Sequence, residues 1–117
     1  MSLVIWHNPR CSKSRATLKL LEENGIVAEV RLYLEDPPSQ AELRDALSAL
    51  ELPASALVRK GEAEWKASGL GSESSEAELV TAMARFPKLI ERPVVFSGSK
   101  ARIGRPPESV LEILDRS

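Results

Sequence analysis

The hydrophobic period changes twice in the first third of the chain, and these changes constrain the fold more than any other feature. Leu3–Trp6 is a continuous apolar run with β-branched residues, which predicts a short buried strand. From Cys11 the apolar residues recur at helical spacing until Asn24-Gly25, where glycine supplies a left-handed helix end. Residues 26–33 then alternate apolar and polar, which predicts a second strand. The resulting β-α-β order places the two strands parallel to each other.

The predicted first helix turns one face to the core and the other to solvent. Its polar face carries mostly Lys, Arg and Glu side chains, which favours a surface helix packed on a sheet. The residues predicted to form its buried face are Ala16, Leu18, Leu20 and Leu21.

The middle of the chain predicts a block of helices. Ser39 with Glu42 and Ser75 with Glu78 both match the capping-box pattern, in which the two side chains cap the first turn of a helix reciprocally. Shorter helices are predicted around residues 54–58 and 62–67, and Pro87 closes the block. Its predicted core positions are Leu43, Ala46, Leu47, Leu50, Leu79, Met83 and Phe86.

The last third predicts two strands and a helix. Residues 94–96 and 101–104 form a hairpin around a Ser-Gly-Ser-Lys turn, and Pro106-Pro107 opens the closing helix. Core positions in this helix are predicted at Val110, Leu111, Ile113 and Leu114. The whole order, β-α-β followed by β-β-α, is typical of a thioredoxin-like mixed α/β sheet with a helical block inserted at approximately residues 39–86. We expect one domain over residues 1–117, since the length suits one and no linker divides it.

Composition excludes several classes of function. One Cys and one His exclude an internal disulfide framework and argue against a zinc site, so no metal is expected. A net charge of −1 argues against sequence-independent nucleic-acid binding. No stretch approaches the roughly 18 apolar residues of a membrane span, and no signal peptide is evident, so we expect a cytoplasmic protein that does not bind membranes.

The single cysteine, Cys11, stands where the first strand gives way to the first helix. Unpaired amides and the helix dipole both favour a thiolate at this position. Low thiol pKa values arise in such surroundings, so the sequence predicts a nucleophile. An inert buried cysteine is the alternative, and anion binding by the same amides is compatible with either. Residues predicted to support the thiolate by charge, hydrogen bonding or turn formation are Asn8, Arg10, Ser12, Lys13, Ser14 and Arg15.

The neighbours of Cys11 leave some roles open. His7 either orients and ionises the thiol or simply caps the end of the strand, and Asn8-Pro9 favours turn formation over catalysis. Cys11 and Ser14 form C-x-x-S, and a serine cannot resolve a mixed disulfide. Any redox cycle through Cys11 therefore needs an external thiol.

Three arginines lie at predicted ends of elements: Arg59, Arg92 and Arg105. Each alone is typical of a solvated surface residue, but guanidinium groups also suit tetrahedral oxyanions because they offer paired donors. Arg92 precedes Pro93 at the start of a strand. A trans bond there is the common case, whereas a cis Pro93 would lie beside the cysteine in a thioredoxin-like fold.

The segment His7 to Arg15, H-N-P-x-C-x-x-S-R, resembles the glutaredoxin-coupled arsenate reductase (ArsC) family, and most closely its ArsC-like branch of related reductases. Further segments resemble the family in the same order along nearly the whole chain: Tyr33 to Pro38, Leu57 to Lys60, Glu91 to Val95 and Gly104 to Pro106.

The resemblance implies a thioredoxin-like fold with a helical insertion and a reduction of arsenate to arsenite. Cys11 would attack arsenate, His7 and Ser14 would stabilise its thiolate, and three arginines would bind the oxyanion: Arg59, Arg92 and Arg105. Glutathione, as co-substrate, would attack the arsenic adduct, and glutaredoxin would complete the electron transfer. No tightly bound cofactor is implied, and we expect a monomer.

Two alternatives remain at this point. A glutathione-dependent thiol reductase with another substrate would use the same Cys11. An Spx-like regulator would bind RNA polymerase through the same fold without catalysis. Regulators of that kind that sense oxidation commonly carry C-x-x-C, so the C-x-x-S here, with Arg59 and Arg105, favours a reductase.

Overall fold

The structure is a computed structural model and describes residues 3–71 and 73–113. It divides into two compact units, one comprising Met1–Asp36 with Arg92–Ser117 and the other Pro37–Glu91. No helix of the described ranges is long and apolar enough to cross a membrane. The strands are β1 (Leu3–Trp6), β2 (Ala28–Arg31), β3 (Val94–Ser97) and β4 (Lys100–Ile103). The α-helices are α1 (Ser12–Glu23), α2 (Gln40–Leu50), α3 (Ala54–Leu57), α4 (Ala63–Ser68) and α5 (Glu76–Arg85). The 3-10 helices are Pro87–Leu89 and Pro107–Ile113.

The first unit is built on a four-stranded mixed sheet in the order β2-β1-β3-β4. Strand β1 pairs parallel with β2, with Ile5 opposite Val30, and antiparallel with β3, with Ile5 opposite Val95. Strands β3 and β4 form the antiparallel hairpin. The predicted mixed α/β sheet is confirmed, and its two central strands lie in the hydrophobic core. The buried members of that core are Leu3, Ile5, Leu21, Val95, Val110 and Ile113.

Helix α1 buries most of the predicted face, together with two polar residues that were not predicted to be buried. Ser14, Thr17 and Leu21 are buried, while Ala16 is exposed, so the prediction of a buried Ala16 is wrong. Leu18 and Leu20 are partly buried against the core, as predicted. Two polar residues can occupy the buried face because their hydroxyl groups find partners; Thr17 Oγ1 donates to Lys13 O at 2.8 Å.

The end of α1 follows the sequence signal. Gly25 has φ +73°, and its amide donates to Glu22 O at 3.0 Å while the Ile26 amide donates to Leu21 O at 3.0 Å. This pair of bonds is a Schellman motif, which satisfies carbonyls that the helix leaves unpaired. Strand β2 is shorter than predicted, because the amides of Glu35 and Asp36 both donate to Leu32 O at 2.9 Å and turn the chain.

The second unit contains the predicted helical block. Both capping boxes are present: Ser39 and Glu42 exchange side-chain and backbone bonds at the start of α2, and Ser75 and Glu78 do so at α5. The predicted core positions in α2 and α5 are buried, but Phe86, which follows α5, is only partly buried. An isolated antiparallel bridge between Val58 and Ile90 connects the two sides of this unit.

The closing element is a 3-10 helix rather than the predicted α-helix. Its first bond runs from the Ser109 amide to Pro106 O at 3.0 Å, the three-residue spacing that defines the tighter helix. Val110 and Ile113 are buried as predicted, and Leu111 is partly buried. Leu114 lies outside the described residues.

Gly104 packs closely against α1 and against the residue that precedes β3. Its amide donates to Pro93 O at 2.9 Å. A Cβ atom at this position would stand 2.5 Å from Thr17 Oγ1 and 2.8 Å from Pro93 Cγ, closer than side-chain atoms approach. Glycine is therefore required here for space, and the close approach holds the residues after β4 against the start of β3.

Gly104→Ala should reduce the free energy of unfolding by about 1–3 kcal/mol, because the added methyl overpacks this contact. Chemical denaturation gives the value. Gly61→Ala is the matched control, since no atom lies within 4 Å of a Cβ there. Equal losses in the two variants would contradict the packing argument.

Candidate active site

Cys11 is the N-cap residue of α1 and is partly buried. Its extended backbone (φ −97°, ψ 123°) lets its carbonyl accept from the Arg15 amide at 3.0 Å, the first bond of the helix. The Cys11 amide in turn donates to Asn8 O at 3.0 Å, which closes the preceding turn. This geometry places the sulfur beside the unpaired amides of the first helical turn.

The pKa of the Cys11 thiol lies below its ordinary value. Partial burial by itself raises this pKa, because it disfavours the charged thiolate. Hydrogen bonds to the sulfur from the Ser14 amide, the Arg92 side chain and the Lys13 amide, together with the Arg92 charge, outweigh that effect. The thiolate is thus stabilised by one guanidinium and by two helix amides.

Arg105 adds a second guanidinium at the sulfur. Its Nη2 lies 3.9 Å from Cys11 Sγ, and its Nε donates to Arg92 O at 3.0 Å. Two predicted oxyanion ligands, Arg92 and Arg105, therefore meet at the cysteine within one unit. The Arg92–Pro93 bond, which the sequence left open, is cis, and so is Arg105–Pro106, which it did not indicate.

His7 reaches the cysteine only through Ser14. His7 Nδ1 and Ser14 Oγ share a buried hydrogen bond of 2.6 Å, and the Asn8 amide donates to the same Oγ at 3.0 Å. The hydrogen bonds of the Ser14 hydroxyl thus go to His7 and Asn8, whereas its backbone amide bonds the sulfur. The sequence predicted that Ser14 supports the thiolate by hydrogen bonding, and the group that bonds the sulfur is its backbone amide.

The pKa of His7 is lowered from 6.5, first because burial disfavours the imidazolium and second because the Arg15 charge repels it. His7 is therefore neutral at neutral pH. It contributes to the site as a hydrogen-bonding partner that fixes the turn, and not as a positive charge beside the thiolate.

The other predicted supporting residues shape the turn or face solvent. Asn8 Oδ1 accepts from the Arg10 amide at 3.0 Å, which is the turn chemistry favoured by the sequence. Arg15 Nη1 donates to Pro9 O at 2.8 Å and braces the same turn from outside. The side chains of Arg10 and Ser12 are exposed.

Arg59 belongs to the second unit. Its guanidinium pairs with Glu62 (Nε to Oε1, 3.2 Å) and with Glu91 (Nη1 to Oε1, 2.9 Å). These two carboxylates were not singled out in the sequence, although Glu62 stands three residues after Arg59. The role of Arg59 in oxyanion binding stays a prediction.

Sequence reasoning also missed the close packing of Gly104 against Thr17 and Pro93. The only available signals were a glycine after a strand and a threonine on the polar side of the predicted helix. Within residues 3–71 and 73–113, no group of three or more His, Cys, Asp or Glu side chains is placed to hold a metal ion.

Comparison with known proteins matches this chain to a described family. The ArsC family pattern covers residues 6–113. The chain is 55% identical to the uncharacterized protein YfgD of Escherichia coli, over 94% of each chain. It is 46% identical to the arsenate reductase of Haemophilus influenzae, over 97% of this chain and 100% of that one. A solved arsenate reductase from Vibrio cholerae superposes with a TM-score of 0.94 at 52% identity, covering 97% of this chain and 98% of that one.

Arg92→Ala should raise the pKa of Cys11, because it removes both a hydrogen bond to the sulfur and the nearest contributing charge. The rate of alkylation by iodoacetamide as a function of pH measures this, and its inflection should move to higher pH. Arg102→Ala is the control, since Arg102 lies in the same unit and pairs with Glu112. An inflection unchanged in Arg92→Ala would contradict the assigned contact.

His7 should make stability depend on pH. Its folded-state pKa is below 6.5, so the unfolded chain takes up a proton first as the pH falls. The contribution of the neutral imidazole is thus present above about pH 6.5 and is lost below it. In a Cys11→Ser background, we compare the free energy of unfolding of the protein that keeps His7 with that of the His7→Asn variant. The excess stability of the protein with His7 should shrink between about pH 7 and pH 5. A difference in unfolding free energy that stays constant over this range would contradict the assignment.

Proposed function

Because the chain belongs to the ArsC family, we propose that it reduces arsenate to arsenite through Cys11, with glutathione and glutaredoxin as the thiol donors. The observation that carries the proposal is the meeting of one thiol, two guanidinium groups and a helix start at a single point. Such a site can hold a tetrahedral oxyanion and attack it from the same place.

In the first step the guanidinium groups of Arg92 and Arg105 hold arsenate by charge-assisted hydrogen bonds. The Cys11 thiolate attacks arsenic, a sulfur–arsenic bond forms, and one oxygen leaves as water after taking up protons. Arsenic stays pentavalent in this step. The donors that first stabilise the thiolate then face the negative charge on the oxygens, so the same groups serve both states.

Reduction needs two electrons, which two thiols supply. Overall, one arsenate and two thiols give one arsenite, one disulfide and one water. Glutathione attacks arsenic in the adduct, and a second oxygen leaves as water. A glutaredoxin thiolate then attacks the glutathione sulfur, the bond between arsenic and that sulfur breaks, and its electron pair stays on arsenic, while glutathione and glutaredoxin form a mixed disulfide. Since the chain has a single Cys, the disulfide forms outside it and hydrolysis of the adduct regenerates the Cys11 thiol.

His7 and Ser14 act in this scheme as positioning residues. Their buried bond ties the end of β1 to the first turn of α1, and this keeps the amides of Lys13 and Ser14 directed at the sulfur. Resemblance to the family alone adds Arg59 as a third oxyanion ligand. The need for reduced glutathione supports a cytoplasmic location, and the proposal includes no tightly bound cofactor.

The proposal is tested by arsenate-dependent NADPH oxidation, coupled through glutathione reductase and glutaredoxin. Turnover should require arsenate, glutathione and glutaredoxin together, and Cys11→Ser should reduce it to background, because the nucleophile is lost. Arg105→Ala should lower kcat/KM for arsenate by about tenfold or more, because a charge-assisted contact is lost.

Arg102→Ala is the matched control and should retain wild-type turnover, since its guanidinium pairs with Glu112. Turnover undiminished in Cys11→Ser would overturn the mechanism. Wild-type enzyme without turnover would overturn the substrate, and turnover without glutaredoxin would overturn the proposed donor.

A further inference from the structure

Two segments that meet at Cys11 carry positive charge without any carboxylate. Residues 7–21 contain four Lys or Arg and no Asp or Glu, and residues 92–107 contain the same numbers. Both segments belong to the first unit. Since the whole chain has 17 acidic and 16 basic residues, these two segments are more basic than the chain as a whole. The cations concerned are Arg10, Lys13, Arg15 and Lys19 in the first segment and Arg92, Lys100, Arg102 and Arg105 in the second.

Several of these cations are already engaged. Arg92 and Arg105 contact the sulfur, Arg15 braces the turn through Pro9 O, and Arg102 pairs with Glu112. Their charges are therefore committed to the site or to a neighbouring group.

Arg10 and Lys13 differ from this engaged set. Both are exposed, and they flank Cys11-Ser12 in the chain. Among the residues that the structure describes, neither side chain forms an ion pair or a hydrogen bond. Lys13 bonds the sulfur only through its backbone amide. These two charges therefore remain available to a molecule that approaches the sulfur from solvent.

We propose that Arg10 and Lys13 recognise the carboxylates of the incoming thiol and make Cys11 selective for anionic thiols and disulfides. Glutathione fits this chemistry, because it carries two carboxylates and one ammonium group around its sulfur. Attraction of this kind raises the rate of encounter more than the stability of a complex. The inference deepens the proposed function by assigning residues to its second substrate, and it needs no arsenate to be tested.

The test reaction is thiol–disulfide exchange. The Cys11 thiolate attacks one sulfur of a symmetric disulfide, the old sulfur–sulfur bond breaks, one thiolate leaves, and a mixed disulfide forms with no net change in oxidation state. Three probes differ in charge: oxidised glutathione is anionic, hydroxyethyl disulfide is neutral and cystamine is cationic. Mass spectrometry follows the mixed disulfide on Cys11, and each rate is divided by that of a small free thiol with the same probe, to remove leaving-group effects.

Wild-type protein should prefer oxidised glutathione over hydroxyethyl disulfide and disfavour cystamine. The double variant Arg10→Ala, Lys13→Ala should reduce the anionic-to-neutral ratio by about three- to tenfold, and high salt should reduce the wild-type ratio similarly. The ratio is insensitive to changes in thiol pKa, because the same thiolate attacks every probe. Lys19→Ala, an exposed cation further along α1, is the matched control and should retain the wild-type ratio.

A ratio that stays at the wild-type value in the double variant overturns this inference, and so does an equal fall in Lys19→Ala. Failure here is distinct from failure of the proposed function. A double variant that keeps the wild-type ratio, together with intact arsenate turnover, refutes only the role of these two cations. Selectivity without arsenate turnover supports the inference and refutes arsenate as the substrate.

Discussion

The site depends on the buried hydrogen bond between His7 Nδ1 and Ser14 Oγ, 2.6 Å long. It joins the end of the central strand β1 to the first turn of α1, and the Asn8 amide adds a second bond to the same hydroxyl. A polar pair can be buried here because each member finds a partner. Once this turn is held, Cys11 caps the helix and the amides of Lys13 and Ser14 face its sulfur. The neutral imidazole therefore acts on the thiolate through geometry rather than charge.

Close packing at Thr17, on the same buried face of α1 as Ser14, brings in the arginines. Gly104 lies against Thr17 and Pro93 without room for a side chain, so the strand ends that carry Arg92 and Arg105 approach the helix start. The bond from Arg105 Nε to Arg92 O then fixes the Arg105 guanidinium relative to the Arg92 backbone. Thr17 tolerates this burial because its hydroxyl donates within the helix. A thiolate, two guanidinium groups and two amides thus converge at one point of the first unit.

Charge is divided between two tasks at this point of the first unit. Arg92 and Arg105 act at the sulfur, where short distance and partial burial make electrostatic effects strong. Arg10 and Lys13 are exposed, where water weakens each contact and where the attraction of an anion from solution falls as the salt concentration rises. The proposed reaction uses both, because in it the Cys11 thiol makes the first bond and the second thiol comes from solution.

The order of the elements and the position of the nucleophile were predictable from sequence. Hydrophobic period, the glycine after α1 and the two capping boxes are local signals, and each acts within a few residues of its cause. The same local logic correctly placed Cys11 at a helix start. It failed for Ala16 and for the closing helix, because burial of a face and the choice of a 3-10 turn depend on what packs there.

Tertiary structure alone decided which groups meet at the sulfur. The contact between Arg105 and Cys11 joins residues 94 apart in the chain, and no spacing rule connects them. The spacing of residues likewise did not show that the Ser14 amide bonds the sulfur while the Ser14 hydroxyl bonds His7. Sequence determines what each residue is able to donate or accept, whereas the packed sheet, α1 and the close contact at Gly104 determine which partner lies within bonding distance.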